Sequence, residues 1–345
     1  MMRRIPVPAL YGVLIAITLG VATLSLLTGK QPVSPAQAWE EWQAGMRIHE
    51  GAVLNILFFQ RLPRTLAALL AGAGLALVGC TFQAILRNPL ATPYTLGIAS
   101  AGALGAYVAL LLVDAGLIAA SLLGVPVVQA LAFIFAIGDV MLVYLMASRR
   151  TRPSPAVLLL TGVTLGILAN AGIMLARYFA RPERLVDMDR WLMGGVDVLG
   201  FDPVFTIAVI VVPGCLILVL QAGKLDQFGF SIELASSRGI HIGRLQLLVF
   251  LLGSLITAVI VSKVGPIGFV GLIVPHSVRS FTGSRHRVLM PVTVIAGAAF
   301  LCACDIVSRK VPVAGEVPIG IITTLVGGPF FLYLLMRRKF TDWET

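Results

Sequence analysis

The sequence has little charge. Only 12% of its 345 residues are Asp, Glu, Lys or Arg, whereas 58% are hydrophobic. Soluble domains carry roughly 25% charged and 45–50% apolar residues, so a water-soluble globule is excluded. Residues that carry chemistry are scarce too. The four cysteines, Cys80, Cys215, Cys302 and Cys304, all fall inside apolar runs, where they act as small hydrophobes; Cys302-x-Cys304 alone is a weak metal signal. The four histidines, His49, His241, His276 and His286, lie scattered at or near predicted loops. No G-x-x-x-x-G-K-[ST] phosphate loop occurs, because Gly29-Lys30 is followed by Gln31 and Gly223-Lys224 by Leu225. The chain therefore binds no ATP by that route. A membrane-embedded enzyme needs a cluster of nucleophiles, acids or ligands, and this inventory disfavours one. No polar stretch exceeds about 35 residues, which is below the size of an attached soluble domain.

What the sequence does have is apolar length. A helix needs about 20 apolar residues to cross the hydrocarbon core. Such runs extend from Ile5 to Gly29, Thr65 to Leu86, Asn88 to Val113, Ala115 to Gly138, Pro153 to Ala176, Pro203 to Gly223 and Val317 to Met336. Leu245 to Ser262 and Val288 to Cys304 sit near the lower limit. One further stretch, Val264 to Val278, is too short for a span, and its GPIGFVGLIVPHSV is broken by two prolines and three glycines. The reading is an all-α integral membrane protein of about ten transmembrane helices, forming one domain over residues 1–345. The first run has no convincing small-residue cleavage site and is expected to be a retained helix.

Ten spans place both termini on one side. With the termini in the cytoplasm, fifteen Lys and Arg lie inside and eleven outside, a modest bias in the direction that basic loops favour. Helices already in lipid rely on small residues at every fourth position for close packing. Ala68, Gly72 and Ala76 form one such stripe, Gly97, Ala101, Gly105 and Ala109 a second, and Gly162, Gly166 and Asn170 a third. Together they predict a dense helical core.

Asp139, directly at the end of the fourth run, is the one acid read as lying in a span, and a buried carboxylate is a functional candidate because burying its charge is costly. An ion-coupled transporter using Asp139 is thus an alternative reading, as is a simple pairing with a neighbouring helix. At span edges, Arg61-Leu-Pro-Arg64 and Asp305-Ile-Val-Ser-Arg309 place cations on the side that should be less basic. They either snorkel to the interface or dock an acidic partner. The cytoplasmic stretch FGFSIELASSRGIHIGRLQ, from Phe228 to Gln246, is long enough for two short helices, with Glu233, Ala235, Arg238 and Gly239 in a first turn and stop. A connection of that length is usually functional.

These residues give the chain a family resemblance. RLPRT from Arg61, NPLA-x-P-x-x-LG from Asn88, LLL-x-GV from Leu158 and WLMGG from Trp191 come first in order. G-x-IGF-x-GL-x-x-PH from Gly265, DIV-x-R from Asp305 and E-x-PIGI-x-T-x-x-x-G-x-P from Glu316 complete the series. The chain resembles, over nearly its whole length, the FecCD-type membrane permease of bacterial ABC importers for iron-siderophore complexes, haem and cobalamin. The resemblance implies a homodimer or pseudo-dimer of ten-helix subunits in the bacterial inner membrane. Two cytoplasmic ATPase subunits carrying ATP-Mg dock beneath it and a periplasmic binding protein docks above. This chain itself is then expected to hold no cofactor. By the same resemblance, Arg61, Arg64 and Arg309 meet acidic residues of the binding protein, and Glu233, Ala235, Arg238 and Gly239 belong to a coupling loop at about 224–244. Ser154 and Pro155 then correspond to the cytoplasmic gate, and GPIGFVGLIVPHSV to an interrupted segment.

Overall fold

The computed structural model describes residues 7–29, 31, 33–48, 50–122, 124–148, 155–311 and 315–336. Helices dominate because the chain is apolar along its length and, in lipid, each backbone group must be satisfied within its own segment. In chain order the helices are α1 (Val7–Leu27), α2 (Pro35–Gln43), α3 (Ala52–Asn55), α4 (Leu62–Leu86), α5 (Ile98–Asp114), α6 (Val127–Ser148), α7 (Pro155–Phe179) and α8 (Pro182–Leu192). They continue as α9 (Asp202–Leu220), α10 (Ala222–Phe230), α11 (Ile232–Ser237), α12 (Ile242–Val264), α13 (Val270–Thr282), α14 (His286–Lys310) and α15 (Ile319–Met336). A π-helical stretch, Ile56–Arg61, joins α3 to α4, and Ser121–Leu122 pairs with Val125–Pro126 as a minimal antiparallel hairpin.

Seven of these segments are long and apolar enough to span a membrane, α5 and α15 are shorter apolar helices, and α13 is a 13-residue piece. The ten expected segments are therefore present among the described residues, though several boundaries move. The third span begins at Ile98, because Asn88 to Gly97 carries Pro89 and Pro93 and folds as turns, with Gly97 left-handed at φ 83°. The fourth runs from Val127 to Ser148, not from Ala115 to Gly138, since Gly116 and Gly124 adopt positive φ and Pro126 closes the hairpin. The ninth does not stop at Cys304: α14 continues through Asp305 and Arg309, which neutralise each other one turn apart. As anticipated, GPIGFVGLIVPHSV is an interrupted segment, with residues 265–269 non-helical before α13.

α4 is the central helix, packed against α9, α12, α13 and α14. Its small residues permit this. A methyl group on Gly72 would stand 2.2 Å from the Gly297 carbonyl oxygen of α14, and one on Gly79 2.0 Å from that of Gly271 in α13. Such backbone approach substitutes for the hydrophobic attraction that is missing between helices in lipid. By contrast α1 lies at the periphery, with Val13, Ile15, Ile17 and Leu19 exposed.

Candidate functional site

Three features stand out: a central cavity, an arginine cluster at one end of the bundle and a pair of short helices at the other. The central cavity has a volume of about 630 Å³. The loop 88–97 contributes Leu90, Thr92, Tyr94 and Thr95, α5 contributes Ala99 and Ser100, and α7 contributes Asn170. The broken segment supplies Pro266, Gly268 and Phe269, and α15 supplies Gly320, Ile321 and Thr324. No charged side chain lines it among the described residues. Irregular backbone at this depth is tolerated where protein covers it or where it borders a water-filled space.

A second cavity, of about 350 Å³, lies across a thin wall and is polar, with Arg64, Gln129, Asp187, Arg190, Asp197, Lys263 and Glu316 around it. The wall consists of three breaks between helices. The Gly195 amide donates to the Val264 carbonyl (2.9 Å) and the Gly320 amide to the Gly194 carbonyl (3.3 Å). A methyl group on Gly320 would lie 2.0 Å from the Met193 carbonyl oxygen, so the segments touch backbone to backbone.

The arginines marked in the sequence, Arg61, Arg64 and Arg309, converge on one cavity of about 240 Å³ with Gln31, Gln60 and Glu316. The π-helical stretch and the turn after it present Arg61 and Arg64, while the last turn of α14 presents Arg309. They do not project freely. Arg61 and Arg309 are only 5% and 6% exposed. Asp305, itself fully buried, accepts from Arg64 Nε (2.9 Å) and from Arg309 Nη2 (2.5 Å), and Glu316 accepts from Arg64 Nη1 (2.6 Å). Arg309 Nη1 also donates to the Ser25 and Thr28 carbonyls, at 3.1 and 2.9 Å. Arg61 donates to the carbonyls of Leu26 (2.8 Å) and Gln31 (2.5 Å) and has no acidic partner among the described residues. Asp197 also lies 3.6 Å from Arg64 Nη1, so the three acids of the cluster all sit on Arg64 and Arg309; Arg61 is the member without an acidic partner among the described residues, a setting that suits an incoming carboxylate.

At the opposite end, α10 and α11 form a helical pair on the bundle. The first helix begins at Ala222, earlier than the sequence reading placed it. Glu233 lies in the first turn of α11, Arg238 is its cap and Gly239 ends it at φ 80°; Glu233, Arg238 and Gly239 are exposed while Ala235 is buried against the chain itself. The Ser231 hydroxyl donates to Glu233 Oε2 (2.5 Å) and accepts from the Leu234 amide (3.2 Å). That hydrogen bond, followed by one from the backbone, holds the Glu233 carboxyl below the ordinary glutamate range. Two clasps fix the pair. Asp226 accepts from the His286 amide (2.6 Å) and meets His286 Nδ1 (2.9 Å), while Arg87 donates to the Phe228 carbonyl (2.7 Å). Sequence reasoning missed Arg87, Asp226, His286 and Glu316 as site residues. Two of them carried a local signal: Arg87, a cation closing a span immediately before Asn88-Pro89, and Glu316, the first residue of the last quoted motif.

Pro155 opens α7 as its first residue, where a missing amide is harmless; Ser154 lies outside the described residues. Asp139 is buried mid-helix in α6, and its Oδ1 faces Gly97, where a methyl group would approach to 3.1 Å. Its Oδ2 has no hydrogen-bond partner among the described residues. No group of three or more His, Cys, Asp or Glu side chains suited to a metal occurs there either.

A multi-pass helical bundle with a neutral central cavity and polar clusters at both ends defines the class of membrane transport subunit. The chain belongs to the FecCD transport family, whose model matches residues 15–337. It is 36% identical over 326 residues to the vitamin B12 import system permease protein BtuC of Vibrio cholerae serotype O1, covering 94% of this chain and 93% of that one. It is 35% identical over 325 residues to the Fe(3+) dicitrate transport system permease protein FecD of Escherichia coli, covering 93% and 96%. A 32% match over 294 residues, 84% of this chain and 85% of the relative, joins it to the hemin transport system permease protein HmuU of Yersinia pestis. Among solved structures, an inward-facing metal-chelate type ABC transporter superposes with a TM-score of 0.80 at 30% identity, covering 96% of this chain and 99% of that one.

Proposed function

We propose that this chain is the transmembrane permease subunit of an ATP-driven importer that moves a metal-chelate compound of the siderophore, haem or cobalamin kind into the cytoplasm. Membership of the family carries the reading. The structure adds physical support: the cavity lined by Leu90, Tyr94, Ser100, Phe269 and Thr324 offers apolar and hydroxyl contacts without charge. Such contacts release a large chelate as readily as they accept it. The chain supplies the pathway and no covalent chemistry.

In this reading two copies pair in the inner membrane with termini in the cytoplasm. Exposed apolar residues on α7 and α15, including Leu160, Ile167, Leu325 and Leu332, suit a partner copy or lipid. Separate ATPase subunits carrying ATP-Mg bind at α10 and α11 through Glu233 and Arg238. A periplasmic binding protein docks by acidic side chains at the Arg61, Arg64 and Arg309 cluster, where Arg61 is the cation left to be neutralised. Reconstitution in proteoliposomes tests the reading. With its ATPase and binding protein the chain is expected to accumulate cyanocobalamin, haemin or ferric citrate on ATP addition, and alone to accumulate none. Gradient-driven uptake by the chain alone, abolished by Asp139→Asn, would instead establish an ion-coupled carrier.

A further inference from the structure

Arg87 stands where α4 ends, in the left-handed region at φ 47° and ψ 37°, an uncommon conformation for a residue with a side chain. The strain has a geometric result. It turns the chain sharply into the 88–97 loop and leaves the Arg87 guanidinium on α10. There it lies 5.0 Å from the centre of the Phe228 ring and donates to the Phe228 carbonyl at 2.7 Å. Phe228 is 1% exposed and anchored in the core, so α10 cannot move without that carbonyl and ring. The Arg87 charge also acts on Glu233 in α11, as the third favourable contribution to its carboxylate after the Ser231 hydroxyl and the backbone. One exposed side chain thus touches one helix of the pair and is felt by the other.

The loop that follows Arg87 is cross-tied by its own hydrogen bonds. Asn88 Oδ1 accepts from the Leu90 amide (2.8 Å), and the Ala91 amide donates to the Asn88 carbonyl (3.1 Å). Thr92 and Thr95 bond reciprocally, amide to hydroxyl, at 2.9 and 3.2 Å. A chain segment tied in this way moves as one piece, and Leu90, Thr92, Tyr94 and Thr95 form a wall of the central cavity.

From this geometry, and resting on the permease reading above, we propose that Arg87 is the positioning residue that joins the ATPase-facing helices α10 and α11 to the cavity-lining loop 88–97, so that displacement of the helices is delivered to the cavity wall. The other clasp, Asp226 with His286, leads to α14 instead, so Arg87 is the described side-chain link from α10 into this loop. Because Arg87 is exposed, truncating it leaves the buried core intact.

The test uses the complete complex with ATPase and binding protein in lipid nanodiscs and proteoliposomes. Leu90→Cys and Leu234→Cys are both at exposed positions, and the four native cysteines are buried, so spin labels report the loop-to-helix distance; because Leu90 lines the cavity, uptake and ATP hydrolysis are read on unlabelled complexes that keep Leu90 and Leu234. In the otherwise native complex that distance is expected to stay the same with and without ATP. In Arg87→Ala it should shift or broaden on ATP addition, with uptake of whichever of cyanocobalamin, haemin or ferric citrate the native complex accumulates falling at least about tenfold while ATP hydrolysis stays within about twofold. Arg87→Lys, which can still sit over the ring and reach the carbonyl, should recover uptake to within about threefold of native. Native uptake in Arg87→Ala, or a label distance in that variant that ignores ATP as the native one does, overturns the proposal. A complex with native Arg87 that fails to bind its ATPase or to transport overturns the permease reading itself, and this inference with it.

Discussion

Replacing Asp305 by Asn removes one negative charge from a place where two guanidinium groups meet. Asp305 is fully buried and accepts from both Arg64 and Arg309, at 2.9 and 2.5 Å, and Arg309 is itself 6% exposed. In Asp305→Asn, Arg64 keeps Glu316 at 2.6 Å, but Arg309 retains only carbonyls and the Ser25 hydroxyl. Breaking a buried ion pair by removing one partner costs about 3–5 kcal/mol, because the other charge remains buried. Asn keeps one acceptor, so the low end, about 3 kcal/mol, is expected. That is about a hundredfold in the folded-to-unfolded ratio. Equilibrium unfolding in mixed micelles, titrated with SDS and followed by tryptophan fluorescence, measures it. Replacing both members with apolar residues, Asp305→Leu with Arg309→Met, should regain at least half the loss, since no buried charge is then orphaned. An Asp305→Asn protein within about 0.5 kcal/mol of native, the range of ordinary surface changes, would refute the reasoning and mean that water reaches the cluster.

Gly79→Ala should destabilise the bundle by about 1–3 kcal/mol, because the added methyl meets the Gly271 carbonyl oxygen at 2.0 Å; the same SDS titration reads it, and a neutral result would show that α13 can shift. Arg61→Gln should weaken binding of the periplasmic partner at least about tenfold and flatten its salt dependence, as measured by surface plasmon resonance across ionic strengths. Unchanged affinity and salt slope would remove Arg61 from the docking surface. For Glu233, the carboxyl is held low by the Ser231 hydroxyl, so its contribution to the α11 terminus is present at neutral pH and lost as pH falls through the lowered value. Carbon-13 NMR titration should find its midpoint below the ordinary glutamate range and find it raised in Ser231→Ala; a midpoint at or above that range contradicts the hydrogen bond.

The sequence disclosed the class of fold because apolar length is its plainest signal, and the ten segments are found near where that length placed them. It misplaced boundaries where apolar residues form turns: Asn88 to Gly97 and Ala115 to Pro126 are uncharged yet hold prolines and positive-φ glycines. It also ended the ninth span at the first acid, Asp305, since hydropathy registers a charge but not the arginine one turn away that neutralises it. The motif arginines were legible as residues but not as a network. That Arg64 and Arg309 share one carboxylate, 241 and 4 positions away in sequence respectively, is a fact of packing that no local pattern contains. The cavity was illegible for the same reason, its wall being assembled from breaks near residues 90, 193, 266 and 320.

α14 has a consequence for how news crosses the bilayer. It runs unbroken from His286, clasped by Asp226, to Arg309, locked to Asp305 and Ser25. Twenty-five residues of helix make a rod of about 37 Å. Each of its extremities is bolted to a different polar cluster, so a pull at one extremity reaches the other through one covalent strut, with no relay of intervening side chains.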